Sequence, residues 1–170
     1  MFKLKFIGRV LVWLPAIFMA ITIFGFSAQN GNESQGVSNR AAGVILTACD
    51  NLGIINFVDA NNKEELIENI QYPIRKIAHI TEYAIFTMCI FIALMIDGLS
   101  FRWSRIICLL MVIIYASFDE IHQLFVVERA GRFIDVCFDT FGALVFLGIV
   151  SIIHHILEKK REDNIFSELE

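Results

Sequence analysis

The chain has 170 residues, 56% of them hydrophobic, 12% aromatic and only 19% charged, and its mean hydropathy is +0.64. A water-soluble domain of this length needs far more polar surface to cover its core, so the composition indicates a membrane protein. The formal charge of -4 is too small and scattered for a nucleic-acid partner, and Cys49, Cys89, Cys108 and Cys137 lack the spacing of a disulfide framework or a zinc site.

Four segments reach the roughly 20 helical residues that cross about 30 Å of hydrocarbon. The first covers residues 10–27, after Lys3, Lys5 and Arg9. Its apolar stretch exceeds the roughly 7–15 residues of a signal-peptide core, and Phe26 spoils an A-x-A-like cleavage register, so it reads as a retained span. Residues 30–74 follow, with Glu33, Asp50, Asp59, Glu64, Glu65 and Glu68 against Arg40 and Lys63. Within them "AAGVILTACDNLG" and "NKEELIENI" read as short amphipathic helices at the mouth of a bundle or in the interface. The remaining spans cover residues 77–96, 106–124 and 133–157. Period-2 alternation is absent and each span must satisfy its own backbone, which leaves helix as the spanning form.

The expected fold is therefore all-α: an integral membrane bundle of four transmembrane helices, with short amphipathic helices in the 30–74 loop. It forms one transmembrane domain over residues 1–158, followed by a tail at 159–170. Lys3, Lys5 and Arg9, then Arg102 and Arg105, then Lys159, Lys160 and Arg161 fall on one side of such a layout. Basic residues in short connections mark the cytoplasmic face, so both termini are expected in the cytoplasm and the 30–74 loop outside.

The polar residues have a common depth. At 1.5 Å rise per residue, Glu82 stands about 22 Å above the inner boundary and His79 about 27 Å. Asp119 and Glu120 reach about 21–23 Å, His122 and Gln123 about 26–27 Å, and Asp139 and Asp135 about 28 and 34 Å. Ser27 and Gln29 close the first span at about 27–30 Å. His79, Glu82 and Tyr83 share one helix face at i, i+3 and i+4, as do Asp119, His122 and Gln123. Asp135, Asp139 and Gly142 form an i, i+4, i+7 stripe, where the glycine admits a close helix neighbour. Arg75 and Lys76 before the second span, and Arg129 and Arg132 in the last hairpin, add cations at the same level.

A single such pair reads most simply as cement between helices. A charge at mid-membrane costs about 2.5–3.5 kcal/mol, so five carboxylates and two histidines at one level favour a polar cavity open to the outside. His154 and His155, by contrast, sit among Ile and Leu near the inner end and are given no role. Glu82, Asp119, His122 and Asp139 are the candidates for acid–base chemistry, since crowded carboxylates raise one another's pKa and a histidine can serve as base. The same four would ligate a divalent metal if one is bound, although no HExxH-type spacing is present. Arg75, Lys76, His79, Tyr83, Glu120, Gln123, Arg129, Arg132, Asp135, Ser27 and Gln29 are the candidates for ligand binding, with arginines suited to bidentate recognition of carboxylate or phosphate.

Three stretches carry a family pattern: "RKIAHITEYAIF" (Arg75–Phe86), "YASFDEIHQLFVVERAGRFIDVCFDTFGA" (Tyr115–Ala143) and, more weakly, "FSAQ" (Phe26–Gln29). Together, H-x-x-E-Y, D-E-x-H-Q, R-x-x-R and D-x-x-x-D at these spacings resemble the VanZ-like family of bacterial membrane proteins. One departure is "VVERAGR", where a proline or glycine turn is expected before the first arginine and Glu128 stands instead. The resemblance implies a protein of the bacterial cytoplasmic membrane, related to resistance to the lipoglycopeptide teicoplanin; it assigns no catalytic residue. Three readings stay open: binding of a lipid-linked, glycopeptide-type or otherwise anionic envelope ligand, an acid–base enzyme on a lipid-linked substrate, and a proton-coupled transporter. The expected partners are the lipid bilayer and that ligand.

Overall fold

The structure, a computed structural model, describes residues 2–57 and 62–168. Asp59, counted among the loop acids, and the side chains of Lys3 and Lys5 lie outside the described residues. Among the described residues five helices follow one another: α1 (Phe2–Ser27), α2 (Gly31–Asn51), α3 (Lys63–Ile96), α4 (Phe101–Gln123) and α5 (Phe133–Glu168). Among the described residues there is no strand.

Two elements differ from the expectation. The segment after the first span is not a pair of short helices: α2 is one helix of 21 residues, begun at Asn30, whose side chain accepts the Glu33 N–H at 2.8 Å. That contact satisfies one of the donors every helix start leaves open, which is why the helix begins ten residues before its apolar stretch. "NKEELIENI" in turn supplies the first turns of α3, which continues through Pro73 to Ile96. Proline removes one backbone hydrogen bond without ending a helix that packing supports on both sides.

Among the described residues three helices carry a stretch long and apolar enough to cross a membrane: α1 over Arg9–Ser27, α3 over Lys63–Ile96 and α5 over Phe133–Ile165. The expected fourth, α4, is not among them. It bears Arg102 and Arg105 in its first turns and closes on Asp119, Glu120, His122 and Gln123. α3 is the hub, packing against α1, α2, α4 and α5, and its contact with α5 is the most extensive. That closeness has a local cause. A Cβ on Gly142 of α5 would run into the Ile80 carbonyl of α3, so the helices touch backbone to backbone there.

The core runs along this hub. Ile23 of α1, Tyr83, Phe86, Ile90 and Leu94 of α3, Val112 and Ala116 of α4, and Leu147 of α5 are all buried. Tyr115 lies with its ring 5.0 Å from Phe86 and donates its hydroxyl to the Ala20 carbonyl at 2.6 Å, tying α4 to α1. Away from the α4–α5 hairpin, Trp13 donates to Asp97 at 2.9 Å and joins α1 to the end of α3. Outside, Phe18, Ile21, Ile114 and Phe118 are each more than half exposed. Apolar surface on that scale needs a lipid solvent.

Candidate functional site

Every ionisable residue singled out by depth lies toward the hairpin end of the bundle, where two cavities adjoin. The first, of about 140 Å³, lies among α1, α2, α3 and α4; Ile23, Phe26, Val37 and Ala41 form its apolar walls, and Glu82 and Asp119 open into it. The second, of about 520 Å³, is polar and basic, with Lys76, Arg132, Gln123, Tyr72 and Asp135 around it. Arg75, His79 and Arg129 line both, so these three side chains make the wall between the chambers.

The three ionisable residues that close α4 go three ways. Asp119 is buried and faces the first cavity; its Oδ2 accepts from Gln123 at 3.2 Å while Oδ1 has no partner. Ser27, also buried and with an unpartnered hydroxyl, lies beside it in the same cavity. Glu120 turns to the hairpin, where its Oε2 accepts the Arg132 backbone N–H at 2.8 Å and its Oε1 accepts from Gln123 at 3.2 Å. His122 lines neither cavity. Its ring lies 4.4 Å from that of Phe24, centroid to centroid, and its Nδ1 is buried without a hydrogen-bond partner.

Behind the wall, Asp139 of α5 is completely buried and faces His79, Nδ1 to Oδ1 3.5 Å. At this separation the two groups make a contact and not a hydrogen bond, and both Asp139 oxygens lack a hydrogen-bond partner. Tyr83, one residue past Glu82, is fully buried in the hydrophobic core with its hydroxyl unpartnered and lines neither cavity. Lys76 is paired with Asp135 and sits over the rings of Tyr72 and Phe138 at 5.3 and 5.2 Å.

Arg129 is committed to the chain. Its Nε donates to the Gln29 carbonyl at 3.1 Å and one terminal nitrogen to the Phe26 carbonyl at 3.0 Å. One is a carbonyl of the last turn of α1, which also accepts the Gln29 N–H at 3.3 Å, and the other lies just past the helix end. A third, longer contact at 3.5 Å reaches the Gln123 side-chain oxygen. Burial, and then the like charge of Arg75, draw the Arg129 pKa below arginine's ordinary value. Gln29 therefore contributes its backbone, while its side chain flanks the first cavity.

Among the described residues no three His, Cys, Asp or Glu side chains gather closely enough to hold a metal ion. The quartet Glu82, Asp119, His122 and Asp139 is not assembled around one ion-sized point. His122 lies against Phe24, and Asp139 sits behind His79.

Sequence reasoning missed the apolar wall residues Ile23 and Phe26, Tyr72 of the basic chamber, and a whole face of α2. Ser34, Val37, Ser38 and Ala41 line the first cavity. Their spacing of i, i+3, i+4, i+7 is that of one helix face and was the available signal. Polar residues share that face, so no apolar run marks it before Ala41.

The VanZ/LLP1 family model matches residues 12–154, from the first turn of the first span into the second half of α5. This chain is a member of the VanZ/LLP1 family. No curated protein and no solved structure matches it. The matched region contains all fifteen candidate residues, from Ser27 to Asp139, so the two-chamber site lies wholly within the family domain.

Proposed function

We propose that this chain crosses the bacterial cytoplasmic membrane four times with both termini inside, and that its cavities face outward to bind the anionic group of a lipid-linked or glycopeptide-type envelope ligand. Such binding at the envelope is the role through which the family's relation to teicoplanin resistance would operate. The four-span layout is supported by the length of α4: 23 residues rise about 35 Å, enough to cross beside its neighbours.

The observation that carries the ligand reading is Arg75. Lys76 has Asp135 and Arg129 has the α1 carbonyls, but Arg75 makes no ion pair or hydrogen bond among the described residues, and its Nε is buried. A partly buried cation without a partner is costly, and an anion between Arg75 and Arg129 would relieve it. Replacing Arg75 by Gln is expected to weaken retention of a phosphate-bearing lipid at least about tenfold, because hydrogen bonds to charged groups contribute about 1.5–3 kcal/mol. Native mass spectrometry of the purified protein reads this directly. Full retention by a folded Arg75→Gln protein would sink the reading.

A second reading is favoured by the His79–Asp139 approach beside Glu82. A histidine backed by a buried carboxylate and facing a second one is an arrangement suited to proton transfer. Under it, Glu82→Gln and Asp119→Asn abolish teicoplanin-linked or other envelope activity in cells while folded yield is kept. A parallel fall in thermal stability and activity points instead to carboxylates that only hold helices together. The transporter reading has least support, since Ile90, Leu94, Val112 and Leu147 fill the bundle beneath the site.

A further inference from the structure

α1 and α2 both pack on α3 but scarcely touch each other. They leave a cleft along the first cavity, and the side chains at its lips, Phe26 and Val37, are 46% and 53% exposed. Ile23, Phe26, Val37 and Ala41 give the slot apolar walls, Ser34 and Ser38 lie beside them on α2, and Arg75 and Arg129, which also face the basic chamber, line the cavity together with Glu82 and Asp119. A slot with apolar walls and two guanidinium groups in its lining is complementary to an amphiphile with a hydrocarbon chain and an anionic head. It does not suit a soluble anion, which has no use for the slot, or a neutral lipid, which leaves Arg75 unpartnered.

Deepening the ligand reading above, and resting on it, we propose that the cleft between α1 and α2 is a lateral portal through which one hydrocarbon chain of a membrane phospholipid-type phosphate amphiphile enters, its phosphate lying between Arg75 and Arg129. The magnitude limits how much of the chain is enclosed. About 140 Å³ is close to the roughly 150 Å³ of an apolar cavity that admits benzene. The slot therefore takes only the few methylenes nearest the head, and the rest of the chain stays in the bilayer. Glu82 and Asp119 then face the junction of head and chain, where a lipid-linked substrate carries its ester or phosphoester bonds.

The test uses the full chain in phosphatidylcholine nanodiscs with phosphatidic acid bearing a photoreactive diazirine near the carboxyl end of one acyl chain. Mass-spectrometric mapping should place the label on Ile23, Phe26, Val37 and Ala41. Ala41→Trp and Val37→Trp, which fill the slot from α2, should each lower that labelling at least about tenfold, the equivalent of losing burial of about two methylenes. Retention of dihexanoyl phosphatidic acid, whose chains are too short to need the slot, should stay within about twofold of the wild type. Label spread evenly over the lipid-facing surface, around Ile114 and Phe118, or labelling unchanged by both tryptophans, overturns the portal. So does equal loss of long- and short-chain compounds. Persistent cleft labelling in Arg75→Gln would instead sink the head-group reading and leave the portal standing.

Discussion

Glu128 adopts a φ of 60°, a left-handed conformation that costs an L-residue about 1–2 kcal/mol relative to its usual regions. It stands where a glycine or proline turn is expected before Arg129. The conformation is held by what surrounds it. The Gly31 N–H donates to the Val127 carbonyl at 3.2 Å, the Gly31 backbone lies against Glu128 so closely that a Cβ there would strike its carbonyl, and Arg129 must reach the end of α1. Glu128→Gly should raise stability by about 0.5–1 kcal/mol after allowing for glycine's extra unfolded-state freedom, read as a higher midpoint of thermal unfolding in detergent. An unchanged or lower midpoint would mean that the Glu128 side chain makes a compensating contact. At this scale the acidic end of α4 also becomes intelligible. Asp119 serves the cavity, Glu120 ties down the hairpin through the Arg132 N–H, and His122 packs on Phe24. Adjacent side chains on a helix point about 100° apart, so neighbours in sequence have different surroundings.

At the scale of elements, the α3–α5 contact sets the position of the site, because it brings His79 to Asp139 and Lys76 to Asp135. Gly142 permits it. Gly142→Ala should destabilise the bundle by about 1–3 kcal/mol, since a methyl group directed at the Ile80 carbonyl must push the helices apart. Gly148, six residues further along α5, has open space where a Cβ would stand. Gly148→Ala is the control, expected to be neutral or slightly stabilising, as alanine is the better helix former. Equal effects at the two positions, measured by thermal unfolding, would show that helix propensity and not the close approach governs this contact. Arg129 works between elements in the same way: residues about one hundred apart in sequence meet in its bonds to Phe26 and Gln29, so the hairpin holds the end of α1.

For the whole molecule the decisive quantity is orientation. The basic residues near the ends of α1 and α5 and at the start of α4 argue for a cytoplasmic location of both termini. In a background free of the four native cysteines, a cysteine at Glu64 in the first turn of α3 should react with a membrane-impermeant maleimide added to intact cells, whereas one at Lys160 should not. The reverse pattern would turn the cavities to the cytoplasm, and an envelope ligand could not then reach them.

What the sequence determined by itself was local or solvent-driven. Hydropathy dictates burial in lipid, a backbone in lipid must satisfy its own hydrogen bonds, and so an all-helical membrane chain with its ionisable groups at one level was legible from composition and spacing. The face shared by His79 and Glu82 was legible for the same reason, because both positions lie on one helix with a fixed period. The extent of α2 and the run of α3 through Pro73 were not, since both depend on packing against α3 or its neighbours that local propensity does not encode. The tertiary structure alone decided which polar groups meet. It put Arg129 on the α1 carbonyls and not in a ligand role alone, left Arg75 without a partner, sent His122 to Phe24, and opened a cleft between two helices that each chose α3 over one another. The physical reason is that helical period fixes a side chain's azimuth on its own helix, whereas partners on other helices are set by rotation and close approach, which here turn on a glycine and a strained turn.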